Sequence, residues 1–427
     1  MTIVDPSDEI LCQEGLAREM FDALEQETHD GVGITRASYG SGEQAARDIV
    51  AAAAENLNML VESDPAGNVY MTLAGADRAA APIIVGSHLD SVAQGGNYDG
   101  AAGVVSGLVA CAGLKSAGIT PPRDVRVMGI RAEESAWFGV SYIGSRSALG
   151  TLPDGALDDT RRADTGRSLA DHMKEAGCDV SALRDGEIFL PSDSIHAYLE
   201  VHIEQGPVLE EAGVPVGLVT GIRGNRRLPH ARCVGEYSHC GGVPRSHRRD
   251  AVVATVELVG ALDDIWNECE EAGRDFAFTV GKFYTNDARH AMTKIAGEVR
   301  FSLDMRSLDG EFLDSMTARV RELAAEIAQR RDVNFELGDF TRADPGTMDP
   351  AIKSGMLDGV DALSIPAIEI ASGASHDAAA FAAAGVRTHM LFIRNANGSH
   401  NPDEDMKISD FMAATRLLAW WLANRAA

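Results

Sequence analysis

The segment 83–104 limits what this chain can become more than any other. It reads Ile83-Ile84-Val85-Gly86-Ser87-His88-Leu89-Asp90-Ser91 and then Gly95-Gly96-Asn97-Tyr98-Asp99-Gly100-Ala101-Ala102-Gly103-Val104. The unbroken apolar run at 83–85 predicts a strand buried on both faces. His88 and Asp90 come where that strand ends, which is where open α/β sheets bind their ligands. The glycines at 95, 96, 100 and 103 let the backbone turn sharply and bring Asp99 back towards His88. An imidazole and two carboxylates on one loop make a metal nest.

The pattern recurs along the chain. Residues 124–130 alternate and end in Arg131-Ala132-Glu133-Glu134, and 197–203 carry His202 at their end. A strand over 388–393 precedes Ser399-His400-Asn401-Pro402. Four strand ends therefore bring forward His88 with Asp99, Glu134, His202 and His400. Nitrogen and carboxylate donors without cysteine suit zinc, manganese or cobalt better than calcium. Two metals sharing a carboxylate can activate one water and polarise a carbonyl. Such chemistry also needs a general base that is not itself a ligand. The Glu133-Glu134 pair supplies both roles, one acid binding metal and the other taking a proton. Asp90, two residues beyond His88, is set to hold the far ring nitrogen of that histidine. His376 and Asp377 either support the site or line it. His196, His230, His247 and His389 read as surface or packing residues.

A length of 427 residues suggests two domains. Helical patterning covers 8–30, and Ser41 with Gln44 fits a capping box that opens a helix through 57. A turn cluster at 64–68 predicts a hairpin, and 101–114 and 405–424 predict helices. From about Gly221 the texture changes. Strands near 228–237, 277–284 and 297–305 alternate with helices at 250–265 and 311–330, a compact α+β unit. The first texture then returns. The expected architecture is one α/β domain, 1–220 and 332–427, interrupted by a smaller α+β domain at 221–331.

The net charge of −26 argues against nucleic acid and against an acidic membrane surface as partners. The first residues carry no basic and apolar signal pattern, and no run of about 18 apolar residues is present. The six cysteines include no C-x-x-C pair and read as reduced cytoplasmic thiols.

These segments together resemble the two-metal amidohydrolases of the aminoacylase and carboxypeptidase superfamily. More narrowly, the chain is similar to the branch of N-carbamoyl-L-amino acid hydrolases, allantoate amidohydrolases and β-ureidopropionase-type enzymes. The resemblance is carried by Gly33-Ile34-Thr35-Arg36, Gly86-Ser87-His88-Leu89-Asp90-Ser91, Gly95-Gly96-Asn97-Tyr98-Asp99-Gly100, Glu133-Glu134 and His202-Ile203-Glu204-Gln205-Gly206-Pro207. It continues in Ser372-Gly373-Ala374-Ser375-His376-Asp377 and Ser399-His400-Asn401-Pro402.

The resemblance implies a mixed-sheet, metallopeptidase-like catalytic domain and an inserted lid and dimerisation domain. It implies two divalent ions per subunit, zinc, manganese or cobalt. His88 and His202 would hold one, Glu134 and His400 the other, and Asp99 would bridge. Glu133 would be the base and Gln205 would face the substrate amide, with Gly373 also at the substrate. His239 would help stabilise an oxyanion in the partner subunit of a homodimer, and Arg306 would grip a substrate carboxylate. Two positions depart from the family pattern. Thr293 stands where an asparagine is common, and His290 is unusual; both are expected to bear on the substrate. The implied activity is hydrolysis of a linear amide, foremost an N-carbamoyl group on a small carboxylate. A deacylase or dipeptidase would use the same site on an N-acyl bond, and a silent binding module is opposed by the complete set of ligands and base.

Overall fold

The computed structural model describes residues 3–426. They form two units. One runs to Thr220 and resumes at Thr347, and the other is Gly221–Gly346.

In the first unit a mixed sheet runs in the order Leu60–Ser63, Val69–Leu73, Val125–Ile130, Ile83–His88, Ala197–Ile203, Thr388–Ile393 and Val216–Ile222. The four central strands are parallel to one another: Ile83 pairs with Val125 and with Ala197, and Thr388 pairs with Tyr198. Their carboxyl ends therefore lie on one edge of the sheet. Three of the four are buried at every residue, and the fourth, Val125–Ile130, at all but Arg126. That burial is why they read as apolar runs rather than as alternation. The helix Ala101–Ser116 is buried through Leu114 and packs on the C-terminal helix Ile408–Asn424. Both helices are apolar on most sides because each lies between the sheet and further helices.

The expected helix at 8–30 is two helices, Ser7–Leu11 and Glu14–Thr28. The capping box at Ser41 is not formed. Gly40 is the N-cap, Ser41 is the first helical residue, and no side chain caps the helix Ser41–Asn56. Gln44 instead accepts a hydrogen bond from Arg131 Nη1 at 2.9 Å. The hairpin forms, with Ser63 opposite Val69 around the 64–68 turn.

The second unit is an antiparallel sheet in the order Phe283–Thr285, Glu298–Ser307, Gly224–Val234 and Asn334–Glu336. Helices Ala251–Glu271 and Gly310–Arg331 supply Leu258, Leu262, Val320 and Ile327 to its core. Asp250 caps the first of these, accepting the N–H groups of Val252 and Val253 at 3.1 Å. The expected end of this unit at 331 is corrected to Gly346. Strands Asn334–Glu336 and Thr341–Ala343 both pair with Gly224–Val234, so their hydrogen bonds bind them to the inserted unit. No helix among the described residues is long and apolar enough to cross a membrane.

One buried ion pair anchors the acid-bearing turn. Glu43 Oε2 accepts Arg131 Nε and the Tyr39 N–H, each at 2.7 Å, while Oε1 accepts the Ala132 N–H at 2.8 Å. Removing one partner of a buried pair strands the other, at a cost of roughly 3–5 kcal/mol. Glu43→Ala should therefore lower the urea midpoint steeply, and Glu43→Gln by less. An alanine variant with an unchanged midpoint would contradict this account.

Candidate metal centre

The edge formed by the parallel strands gathers the sequence-predicted ligands. His88 ends its strand and His202 lies one residue before the end of the next. Asp99 returns on the glycine-rich loop, Glu134 follows its strand by four residues, and His400 sits on the loop after Thr388–Ile393. The loop closes because Gly100 has φ +67°, a conformation that side chains rarely adopt, and because a Cβ there would overlap the His88 ring.

Asp99 is the centre of the cluster. Its Oδ1 lies 3.4 Å from His88 Nε2 and 3.2 Å from His202 Nε2. Its Oδ2 lies 3.2 Å from His400 Nε2, which is itself 3.3 Å from Glu134 Oε1. Three donor groups result among the described residues: His88–Asp99–His202 and Asp99–Glu134–His400, with Asp99 common to both, and Glu200–His202–His376, which shares only His202 with the first.

The donors fit a cation. His88 Nδ1 contacts the Asp90 carbonyl at 3.0 Å, and His202 Nδ1 contacts the Ile203 carbonyl at 2.8 Å. A carbonyl only accepts, so each contact assigns the ring proton to Nδ1. The two Nε2 lone pairs then face each other at 3.4 Å, beside a carboxylate oxygen that is buried without a hydrogen bond. That arrangement repels itself unless positive charge stands among the atoms. The protonation equilibria carry the same demand. Burial opposes charge on His88, yet the Asp90 and Asp99 carboxylates hold its pKa well above the ordinary value. Burial also opposes charge on Asp99, and the three imidazoles drive its pKa well below the ordinary value. Asp99 and Glu134 push His400 up to about 10.

Asp90 does more than was expected of it and does it differently. Its carboxylate is 3.5 Å from His88 Nδ1, while its backbone carbonyl makes the closer contact. The carboxylate instead accepts the N–H of Glu133 at 2.9 Å, the N–H of Glu134 at 3.1 Å and the Ser38 hydroxyl at 2.6 Å. Both acids are thereby held by their own backbone. Glu133 is buried, and desolvation raises its pKa well above the ordinary carboxylate value.

Gln205 Nε2 donates to Asp99 Oδ2 at 2.9 Å, and its Oε1 is buried without a hydrogen-bond partner. His376 lies against His202, ring centroids 4.4 Å apart, and bonds to Ser372 Oγ at 2.9 Å. Asp377 accepts the Ser145 hydroxyl at 2.6 Å, and burial beside Glu200 pushes its pKa up to about 8. Gly373 is exposed in the turn after Ala367–Ser372.

The other predicted substrate residues belong to the inserted unit. His239 is exposed and pairs across a two-stranded ribbon with Lys294. Its Nδ1 accepts the Gly241 and Gly242 N–H groups at 3.1 and 3.0 Å, which assigns its proton to Nε2. The Thr293 carbonyl accepts the Cys240 N–H at 3.0 Å. His290 is exposed and bonds to Thr285 Oγ1 at 2.7 Å. Arg306 donates to Asp304 at 3.0 Å, and Asp304 also accepts Arg227 at 2.9 Å.

Sequence reasoning gave no role to Arg36. Its fully buried guanidinium donates to the Leu89 carbonyl at 2.8 Å, to Asn97 Oδ1 at 3.2 Å and to the Asp99 carbonyl at 3.3 Å. It stitches both ends of the metal loop from beneath. Its presence in the Gly33–Arg36 run was the available signal.

Residues 84–424 match the profile of the family described as Peptidase family M20/M25/M40. The chain is 33% identical over 396 residues to an N-carbamoyl-L-amino acid amidohydrolase of Geobacillus stearothermophilus, covering 92% of this chain and 94% of that one. It is 30% identical over 362 residues to the allantoate amidohydrolase of Escherichia coli, covering 84% and 85%. A crystal structure of a hydantoinase/carbamoylase family amidase from Burkholderia multivorans superposes with a TM-score of 0.88 at 27% identity, covering 97% of this chain and 98% of that one. The chain belongs to the M20/M25/M40 peptidase family.

Proposed function

We propose that this protein is a metal-dependent amidohydrolase that cleaves a ureido C–N bond in an N-carbamoyl amino acid or a closely similar ureido acid. One observation carries the reading: two donor groups share a single carboxylate, Asp99, beside the non-shared acid pair Glu133-Glu134. The substrates named for the relatives set the bond class.

The proposed ligands are His88 and His202 for one ion, Glu134 and His400 for the other, and Asp99 between them. Zinc, manganese or cobalt there would supply a polarised carbonyl and a water of lowered pKa. The remaining work falls to the chain's own groups. Glu133 takes the proton of the attacking water. The water oxygen bonds to the ureido carbon, one C–N bond breaks, and Glu133 returns the proton to the departing nitrogen. Loss of carbon dioxide from the resulting carbamic acid leaves the amine, ammonia and carbon dioxide. The unpartnered Gln205 Oε1 is an acceptor for a substrate N–H. His239, with its proton on Nε2, is a donor for the oxyanion of a partner subunit. Arg306 is the fork for the carboxylate, exchanging Asp304 for substrate. Thr293, His290 and Gly373 are further substrate contacts in this reading. Exposed Val253 and Val256 on the helix Ala251–Glu271 suit a homodimer face. Six free cysteines suit a reducing, cytoplasmic setting.

Protein stripped of metal and reloaded should bind two divalent ions per chain. His88→Ala and His400→Ala should each lose one, and Asp99→Ala both. Metal counting after dialysis checks this, and two ions retained by Asp99→Ala would remove the bridge.

Glu133→Gln should keep both ions and lose kcat by roughly two to four orders of magnitude, the scale of general-base removal. Near wild-type turnover would reassign the base. Ammonia release from N-carbamoyl amino acids, allantoate and N-acyl amino acids measures the bond preference. Within that panel, Arg306→Ala should raise KM for free carboxylates and spare their amides. Equal effects on both would take Arg306 out of the binding role.

A further inference from the structure

Two loops about 300 residues apart in sequence meet at Asp99 and His400, and neither is held in place by a metal ligand alone. His400 has φ +61° and Asn397 φ +63°, left-handed conformations that non-glycine residues keep only when their surroundings enforce them. The loop that carries them is closed at its base by the Ala396–Asp405 bridge. Its contacts with the loop of Asp99 run through three side chains, His400, Ser399 and Glu404, and of these only Glu404 takes the backbone of that loop.

Glu404 is buried. Its Oε1 accepts two successive backbone N–H groups on the metal loop, Tyr98 at 2.9 Å and Asp99 at 3.2 Å. Its Oε2 accepts the hydroxyl of Ser399 at 2.6 Å, the residue just before His400. The same hydroxyl oxygen lies 2.7 Å from Asp99 Oδ2. A hydroxyl has one hydrogen, so Ser399 serves one of these two carboxylates at a time and ties them together. Gly96 lies against the Glu404 carboxylate so closely that a Cβ would overlap Cδ and Oε1. The second glycine of the Gly95-Gly96 pair is thus explained by close approach to Glu404 rather than by its own turn.

We propose that Glu404 is the positioning residue that fixes Asp99 against His400, and so sets the affinity of the Asp99–Glu134–His400 group for its ion. It touches no substrate. It acts by orienting the loop on which Asp99 stands and the serine that precedes His400. The inference rests on the two-ion reading of the centre.

The test uses the full-length chain loaded with cobalt, whose visible absorption reports its coordination, and stripped by graded chelator. Wild type should release two ions per chain. Glu404→Ala should weaken one of them by about ten- to hundredfold, the usual loss when a supporting partner of a ligand is removed. The ion should be the one that His400→Ala also loses, with the same absorption change, and the double variant should lose nothing further. Gly96→Ala should weaken the same ion by displacing Glu404 without altering it. Glu404→Gln should stay close to wild type. Its carbonyl oxygen can take both N–H groups, and its amide can donate to Ser399, leaving that hydroxyl for Asp99. A merely structural role would lower the melting temperature of the metal-free protein and weaken both ions together. That result, or an alanine variant that holds both ions like wild type, or a glutamine variant as weak as the alanine one, would overturn the assignment. A wild-type chain that holds fewer than two ions would instead overturn the reading of the centre itself.

Discussion

Asp99 is the constraint on which the rest of this protein depends. One buried carboxylate faces three imidazole nitrogens within 3.5 Å, and one of those imidazoles also meets a second acid, Glu134, at 3.3 Å. A buried charge survives only when its partners are fixed. Much of the surrounding polar structure is that fixing. Arg36 holds the carbonyls of the loop from below. Glu404 holds its N–H groups from the side. Asp90 and Glu43 hold the backbone of the neighbouring acid turn at three successive residues, 132, 133 and 134. The site is thus built mostly from backbone contacts to buried ionised side chains, which are shorter and stronger than neutral ones.

That construction stores strain on the functional edge. Ala132, Gln205 and His400 all have positive φ without being glycine. Each such residue costs on the order of 1–3 kcal/mol. All three lie at the carboxyl ends of the parallel strands or on the loops that follow. The parallel core, buried almost throughout, is the reserve against which that strain is held.

The sequence made the architecture and the donor set legible for one reason. Apolar runs such as Ile83–Val85 broke off into ionisable residues, and parallel buried strands leave no polar alternation to confuse the reading. Resemblance then supplied roles that spacing alone could not. What stayed hidden was of three kinds. Ser41 and Gln44 satisfied a local capping rule, yet Arg131 claimed Gln44 through a tertiary contact. The inserted unit ran past 331 because strands as short as Asn334–Glu336 carry no periodicity to read. Glu404 is an ordinary acid four residues beyond His400, and only folding shows that its partners are Tyr98 and Asp99. Asp90 was rightly placed beside His88, but its carboxylate turned to the Glu133-Glu134 backbone instead.

The parallel pairing of Ala197–Ile203 with Thr388–Ile393 has a consequence for how the protein comes into being. Synthesis proceeds from the N-terminus, so the central strand that carries His202 exists long before its neighbour. The whole inserted unit, Gly221–Gly346, is made in the interval. Throughout it, one edge of a strand that is buried at every residue in the folded protein lacks its native neighbour, a state prone to pairing with other chains. The donor group containing His400 cannot assemble until the strand Thr388–Ile393 and the loop after it have been made. Nascent chains can therefore make at most the His88–Asp99–His202 half of the centre, and maturation of the second half is coupled to closure of the sheet.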